Sequence, residues 1–141
     1  MTSAELDNLV RIGKLKREAP SVAEFAGLVR SARARLADAG RSALAYESRF
    51  DLAYNAAHAL ALAALRHAGY RSENRYLVFQ CLSHTLGLPA ATWRVLAKCH
   101  ERRNLAEYEG SMAIDDRLLA DLLTAARILL EKVEALPVVE P

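Results

Sequence analysis

An all-α, up-and-down bundle of about five to six helices is predicted for this chain of 141 residues, and three observations carry the prediction. Hydrophobic residues make up 52% against 26% charged, with only 6 Gly and 4 Pro, a balance that suits a folded alanine-rich helical protein and argues against disorder. Apolar residues recur at steps of three and four through successive segments, and no stretch alternates as a strand would. Turn signals separate the segments at the lengths expected of short helix connections. One domain over residues 1–136, followed by a flexible tail at 137–141, accommodates them all.

The first helix is expected over Ala4–Arg17, with Leu6, Val10 and Leu15 inward and a basic run of Arg11, Lys14, Lys16 and Arg17 at its end. Such a run in a last turn suits the helix dipole and is ordinarily a solvated face. Pro20 interrupts the chain, and Ser21 with Glu24 forms a capping box that opens a second helix through Phe25, Leu28, Val29, Ala32 and Leu36 to Gly40. The third runs from Ser42 or Glu47 to Ala68 and is rich in alanine. Apolar on nearly every face, it is expected at the centre, where small side chains let neighbours approach closely. Asn55, on its stripe Leu52, Asn55, Ala59, Leu62, reads as a hydrogen-bonded packing residue. The fourth is expected over Asn74–Leu86, the fifth from Pro89 to about Glu109 with a stop at Gly110, and the sixth from Asp116 to Leu136 with Asp115 as its cap.

A net charge of +2 is too small to argue for a nucleic-acid partner by itself. The most apolar run, Ala56–Leu65, is broken by His58 and is far shorter than the roughly 20 residues of a membrane span, so no membrane partner is expected. Cys81 and Cys99, with no leader-like start, point to free thiols in a reducing, cytoplasmic setting. Cys81 with His84 and Cys99 with His100 could be imagined around a metal. Adjacent helix positions point about 100° apart, however, and no metal site or cofactor is expected. Common nucleophile, phosphate-loop and paired-carboxylate signatures are absent.

The candidate site lies in the fifth helix. Leu96, Cys99, Arg103 and Ala106 share one stripe, which turns an arginine towards packed protein. Its charge cannot be shed, and burial without a partner costs several kcal/mol, so an acid, a phosphate or a subunit boundary must meet it. His100, Asn104 and Tyr108 follow at intervals of four, stacking imidazole, amide and phenol beside the guanidinium. His100 lies near enough to Arg103 and Asn104 to move a proton, while Arg102 and Lys98 add positive charge that could contact phosphate.

Arg103-Asn104-Leu105-Ala106-Glu107-Tyr108 resembles the motif of HEPN domains, in which an arginine, often followed by asparagine, precedes a histidine late in a helical bundle. Phe50–Ala59 resembles the alanine-rich central helix of prokaryotic members, and the resemblance spans about Ser42 to Gly110. Here Tyr108 stands at the histidine position. The resemblance implies a homodimer with the arginine motifs meeting at its interface, RNA or nucleotide as ligand, and a toxin-antitoxin or defence setting with a nucleotidyltransferase-like antitoxin. It also implies metal-independent ribonuclease chemistry by Arg103, Asn104 and Tyr108, although a phenol with a pKa near 10 is a poor base at pH 7. His100 could supply the missing imidazole. The competing reading is a non-catalytic interaction module in which Arg103 pairs with Asp51 or Glu107 and fixes helix packing.

Overall fold

The computed structural model describes residues 3–139 and shows an all-α bundle. Its elements are α1 (Ala4–Arg11), β1 (Lys16–Arg17), α2 (Val22–Ala39), α3 (Tyr46–His67), β2 (Tyr70–Arg71), α4 (Arg75–Gln80), α5 (Leu82–Thr85), α6 (Ala90–Glu109) and α7 (Asp116–Glu134). Among the described residues, no helix is long and apolar enough to cross a membrane.

Helix α3 is the axis of the bundle, packing against α2, α4, α5, α6 and α7. Its alanines Ala53, Ala56, Ala57, Ala61 and Ala63 are fully buried, which is the close approach that small side chains permit. Leucines of α7, Leu122 and Leu129 among them, complete the core from the other side.

Helix α1 is shorter than the expected Ala4–Arg17. Gly13 adopts φ 80°, a left-handed conformation that turns the chain out of the helix. Lys16 and Arg17 then pair antiparallel with Arg71 and Tyr70 in a two-residue ladder. Leu15 is buried as expected, but from this connector rather than from a helix. The helix expected over Asn74–Leu86 is divided at Cys81 into α4 and α5. Of the expected flexible tail, Pro137 accepts a hydrogen bond at its carbonyl from His67 Nε2 at 2.8 Å and Val139 is buried; residues 140 and 141 lie outside the described residues.

Arg66, at the end of α3, is 2% exposed and closes this end of the bundle. It donates to Glu24 Oε1 at 2.6 Å and to the carbonyls of Ala19 (2.7 Å), Glu18 (2.8 Å) and Tyr70 (3.4 Å). Arg71 ties the same two acids together by bonding Glu18 and Glu24. Beside it, the buried Tyr70 donates its hydroxyl to Asp7, and the Arg17 guanidinium lies 5.6 Å over the Tyr70 ring.

At the other end, Asp115 caps α7 by accepting from Leu118 N at 3.0 Å, and its carbonyl accepts from the Tyr46 hydroxyl at 3.0 Å. Replacing Asp115 with alanine removes the side-chain cap and keeps the carbonyl. The expected cost is about 1 kcal/mol, read as a lower urea midpoint with an unchanged slope. No shift in midpoint would show that the cap contributes nothing here.

Candidate functional site

Helix periodicity sorts the predicted site residues of α6 into two groups. Taking 100° per residue, Leu96, Cys99, Arg103 and Ala106 cluster on the core side, with His100 and Asn104 at its edge. Leu96 and Cys99 are fully buried and the Arg103 side chain is 23% exposed, so the arginine does lie on an inward stripe. Its neighbours come from α3. The guanidinium carbon sits 5.0 Å over the ring of Tyr54, a cation–π contact with a fully buried phenol.

Two acids flank Arg103: Glu107 Oε1 is 3.0 Å from Nη1, and Asp51 Oδ1 is 3.6 Å from Nε. The second distance is too long for a hydrogen bond, and the buried Nε–H has no hydrogen-bond partner. Both carboxylates are more than half exposed, at 59% and 64%, where an ion pair contributes about 0–1 kcal/mol. Arg103 is thus positioned by its ring contact and only weakly neutralised. The cleft outside it, about 290 Å³, is lined also by Glu47, Asp51, Glu107, Ser111 and Met112.

His100 is held at both nitrogens. Nδ1 is 2.9 Å from the Tyr54 hydroxyl, and the exposed Asn104 amide donates to Nε2 at 3.1 Å. A neutral imidazole offers one donor and one acceptor, so these two partners use both and leave Nε2 on the outward side. Burial and the neighbouring guanidinium groups of Arg103 and Arg75 push the His100 pKa below its ordinary value. Half-buried His58, one turn beyond Tyr54 on α3, is pushed down to about 4, first by burial and then by Arg75 and Arg103. Both rings are therefore neutral at pH 7.

Arg75, at the start of α4, completes the cluster. Its guanidinium lies 5.7 Å over Tyr54 and donates to Asn55 Oδ1 at 3.0 Å, while the Asn55 amide donates to the carbonyl of Asp51 at 2.9 Å. Asn55 is thus the hydrogen-bonded packing residue its stripe suggested. Around these groups stand aromatic rings: Phe79 is edge-on to Tyr54 and His58, and Tyr76 lies 5.7 Å from His100.

His100, Arg103 and Asn104 are brought together; Tyr108, Arg102 and Lys98 are not. Tyr108 is 93% exposed, about 140° around the helix from Arg103. Arg102 and Lys98 project about 160° from His100, on the side turned to α7, where Arg102 comes within 3.8 Å of Asp115 and Lys98 lines a shallow surface with Arg94 and Asp115. Tyr54, His58 and Arg75 were not singled out as site residues. The available signal was two polar rings, Tyr54 and His58, at an interval of four in the alanine-rich part of α3.

The cysteines lie apart from this chemistry. Cys81 and Cys99 are buried free thiols, their pKa values pushed up to about 11 and about 12, first of all by burial. Among the described residues no three His, Cys, Asp or Glu side chains gather as metal ligands would. The arrangement sets a guanidinium flanked by Asp51 and Glu107 beside an imidazole whose neutral form is favoured. No family model, curated protein or solved structure matches the chain.

Proposed function

We propose that this bundle is a HEPN-like RNA- or nucleotide-binding protein whose phosphate site is built on Arg103, Asn104 and His100, with metal-independent ribonuclease chemistry at that site. The observation that carries the reading is the Arg103 guanidinium, fixed over Tyr54 with a buried, unpartnered Nε–H, beside an imidazole held at both nitrogens. A phosphate oxygen in the cleft meets Arg103 through its Nη groups, in place of the exposed Glu107 carboxylate, by a charge-assisted bond. In the chemistry proposed, the exposed Asn104 amide turns from His100 Nε2 to the phosphate, Nε2 takes the proton of a ribose 2′-hydroxyl, and the 2′-oxygen attacks the adjacent phosphorus. Arg103 neutralises the growing charge, and the 5′-oxygen leaves with a proton from water, giving a 2′,3′-cyclic phosphate. Tyr108 takes no part in the proton transfer.

The setting proposed is a cytoplasmic toxin-antitoxin or defence system. A homodimer meeting along α6, or a nucleotidyltransferase-like antitoxin docking there, would cover Leu105 and Tyr108, which are 52% and 93% exposed.

A second reading has its own support. Arg103 already lies against Asp51 and Glu107, which suits a non-catalytic interaction module in which the pair fixes the packing of α6 on α3. The two readings separate on a mixed RNA pool treated with chelator, so that metal nucleases are silent. Wild-type protein is expected to cleave it, and Arg103→Ala to lose at least a hundredfold in rate, the scale of removing one preorganised charge donor. RNA neither bound nor cut by the wild type refutes the phosphate site and leaves the interaction module.

A further inference from the structure

We infer that the cavity of about 320 Å³ between α1, α4–α5 and α6 is a nucleobase subsite for the single-stranded RNA proposed above. This inference rests on that reading and adds a part of the ligand the phosphate site does not touch. Trp93 forms one wall, Leu9, Leu77 and Cys81 supply an apolar floor, and Gln80 and Ser83 stand at the rim. The volume is at the lower end of small-molecule sites, and an apolar pocket with a few polar groups at its mouth is their usual construction.

The chemistry of the lining selects a base. An indole face offers stacking to any of the four, and the exposed Gln80 amide both donates and accepts, as the edge of a base requires. Bases paired within a duplex cannot enter such a pocket, so the ligand is a single strand. Trp93 stands on the same row of α6 as Ala97, His100 and Asn104, so the cavity and the phosphate site open along one face of that helix. Tyr76 fills the step between its ends, with its ring 6.3 Å from Trp93 and 5.7 Å from His100. Ten helical steps lead from Trp93 to Arg103, about 15 Å along α6, or roughly four nucleotides of a stacked strand. A hexamer is long enough to place a base against Trp93 and a phosphate on Arg103 together.

Trp93 is the only tryptophan in the chain, so its emission reports the subsite directly. The experiment titrates the full chain with a 2′-O-methyl oligoadenosine hexamer, which lacks the attacking hydroxyl and stays intact. An abasic hexamer of equal charge is run beside it. The base-bearing strand is expected to quench Trp93 and to bind about tenfold tighter, the scale of one base stacked on an aromatic ring. In anisotropy with labelled strands, Trp93→Ala is expected to erase that difference and leave abasic binding unchanged. Gln80→Ala, at an exposed position where folding is not at stake, is expected to reduce the difference, and Arg103→Ala to weaken both strands. Equal affinity for the two hexamers overturns the base subsite while the phosphate site stands; binding of neither strand overturns both.

Discussion

Replacing Arg66 with methionine is expected to lower stability by about 3 kcal/mol, or about 10 °C in Tm for a domain of this size. Methionine nearly fills the space, so the loss is not mainly one of packing. What disappears is a guanidinium that hydrogen-bonds the Glu24 carboxylate and the carbonyls of Glu18, Ala19 and Tyr70, with the Glu18 carboxylate 3.3 Å away. Those acceptors line the turn before α2 and the strand after α3, and an unsatisfied buried acceptor costs about 1–3 kcal/mol. Arg71 keeps its bonds to Glu18 and Glu24, which holds the total below the simple sum. Urea unfolding of both proteins measures the difference, and a loss under about 1 kcal/mol would mean that water replaces the arginine without penalty.

The same variant changes the response to acid. Burial of Glu24 works to raise its pKa, but hydrogen bonds from Arg71 and Arg66 outweigh it and the net shift is downward. A carboxylate with a depressed folded pKa contributes stability above its unfolded value of about 4.3 and loses it as pH falls through the folded value. Arg66→Met is expected to shrink that loss. His58, with a folded pKa of about 4 against about 6.5 unfolded, removes stability over a higher range as pH falls, and does so in both proteins. Comparing the two acid limbs below pH 5 isolates Glu24.

His100→Gln is expected to reduce RNA cleavage by about 10²- to 10⁴-fold while leaving RNA affinity within a fewfold of wild type. Glutamine retains hydrogen-bonding capacity towards Tyr54 and Asn104 but cannot move a proton. The pH profile provides the independent reading. Burial, Arg103 and Arg75 push the His100 pKa below its ordinary value, so the neutral base predominates at pH 7 and the rate falls as the solution becomes more acidic. Tyr54→Phe removes the hydroxyl at Nδ1 and keeps the ring beneath Arg103; it is expected to lower the rate without weakening binding, as suits a positioning residue. A His100→Gln protein that cleaves like wild type would remove the imidazole from the mechanism.

Arg103 could be found in the sequence because its anomaly is local: a charge at steps of three and four from Leu96, Cys99 and Ala106 is visible within one helix. The order of the helices was legible for the same reason, since capping residues and apolar periods are short-range signals. Tyr54 was not legible as the support of His100, because 46 residues separate them and only packing brings them together. Arg66 was hidden differently. Basic residues are ordinary in a last helical turn, and nothing nearby announces that Glu18 and Glu24 fold back upon it. The early stop of α1 turned on the backbone of Gly13, where a helical continuation and a left-handed turn are both open to glycine. Tyr108 aligns with a motif position, yet the helix period carries it away from Arg103 and into solvent.

The central place of α3 has a consequence for how the site tolerates change. Tyr54, which meets both His100 and Arg103 of α6, projects from the helix enclosed on the most sides. Its positional precision is inherited from the core, not from a loop. Substitutions that loosen alanine packing at Ala53 or Ala57 would therefore blur the spacing of His100 and Arg103 before they unfolded the chain, whereas the outer rim of α6 remains free to diversify. The cluster around Tyr54 and the packing of the core thus draw on one helix, and a change in either is felt by both.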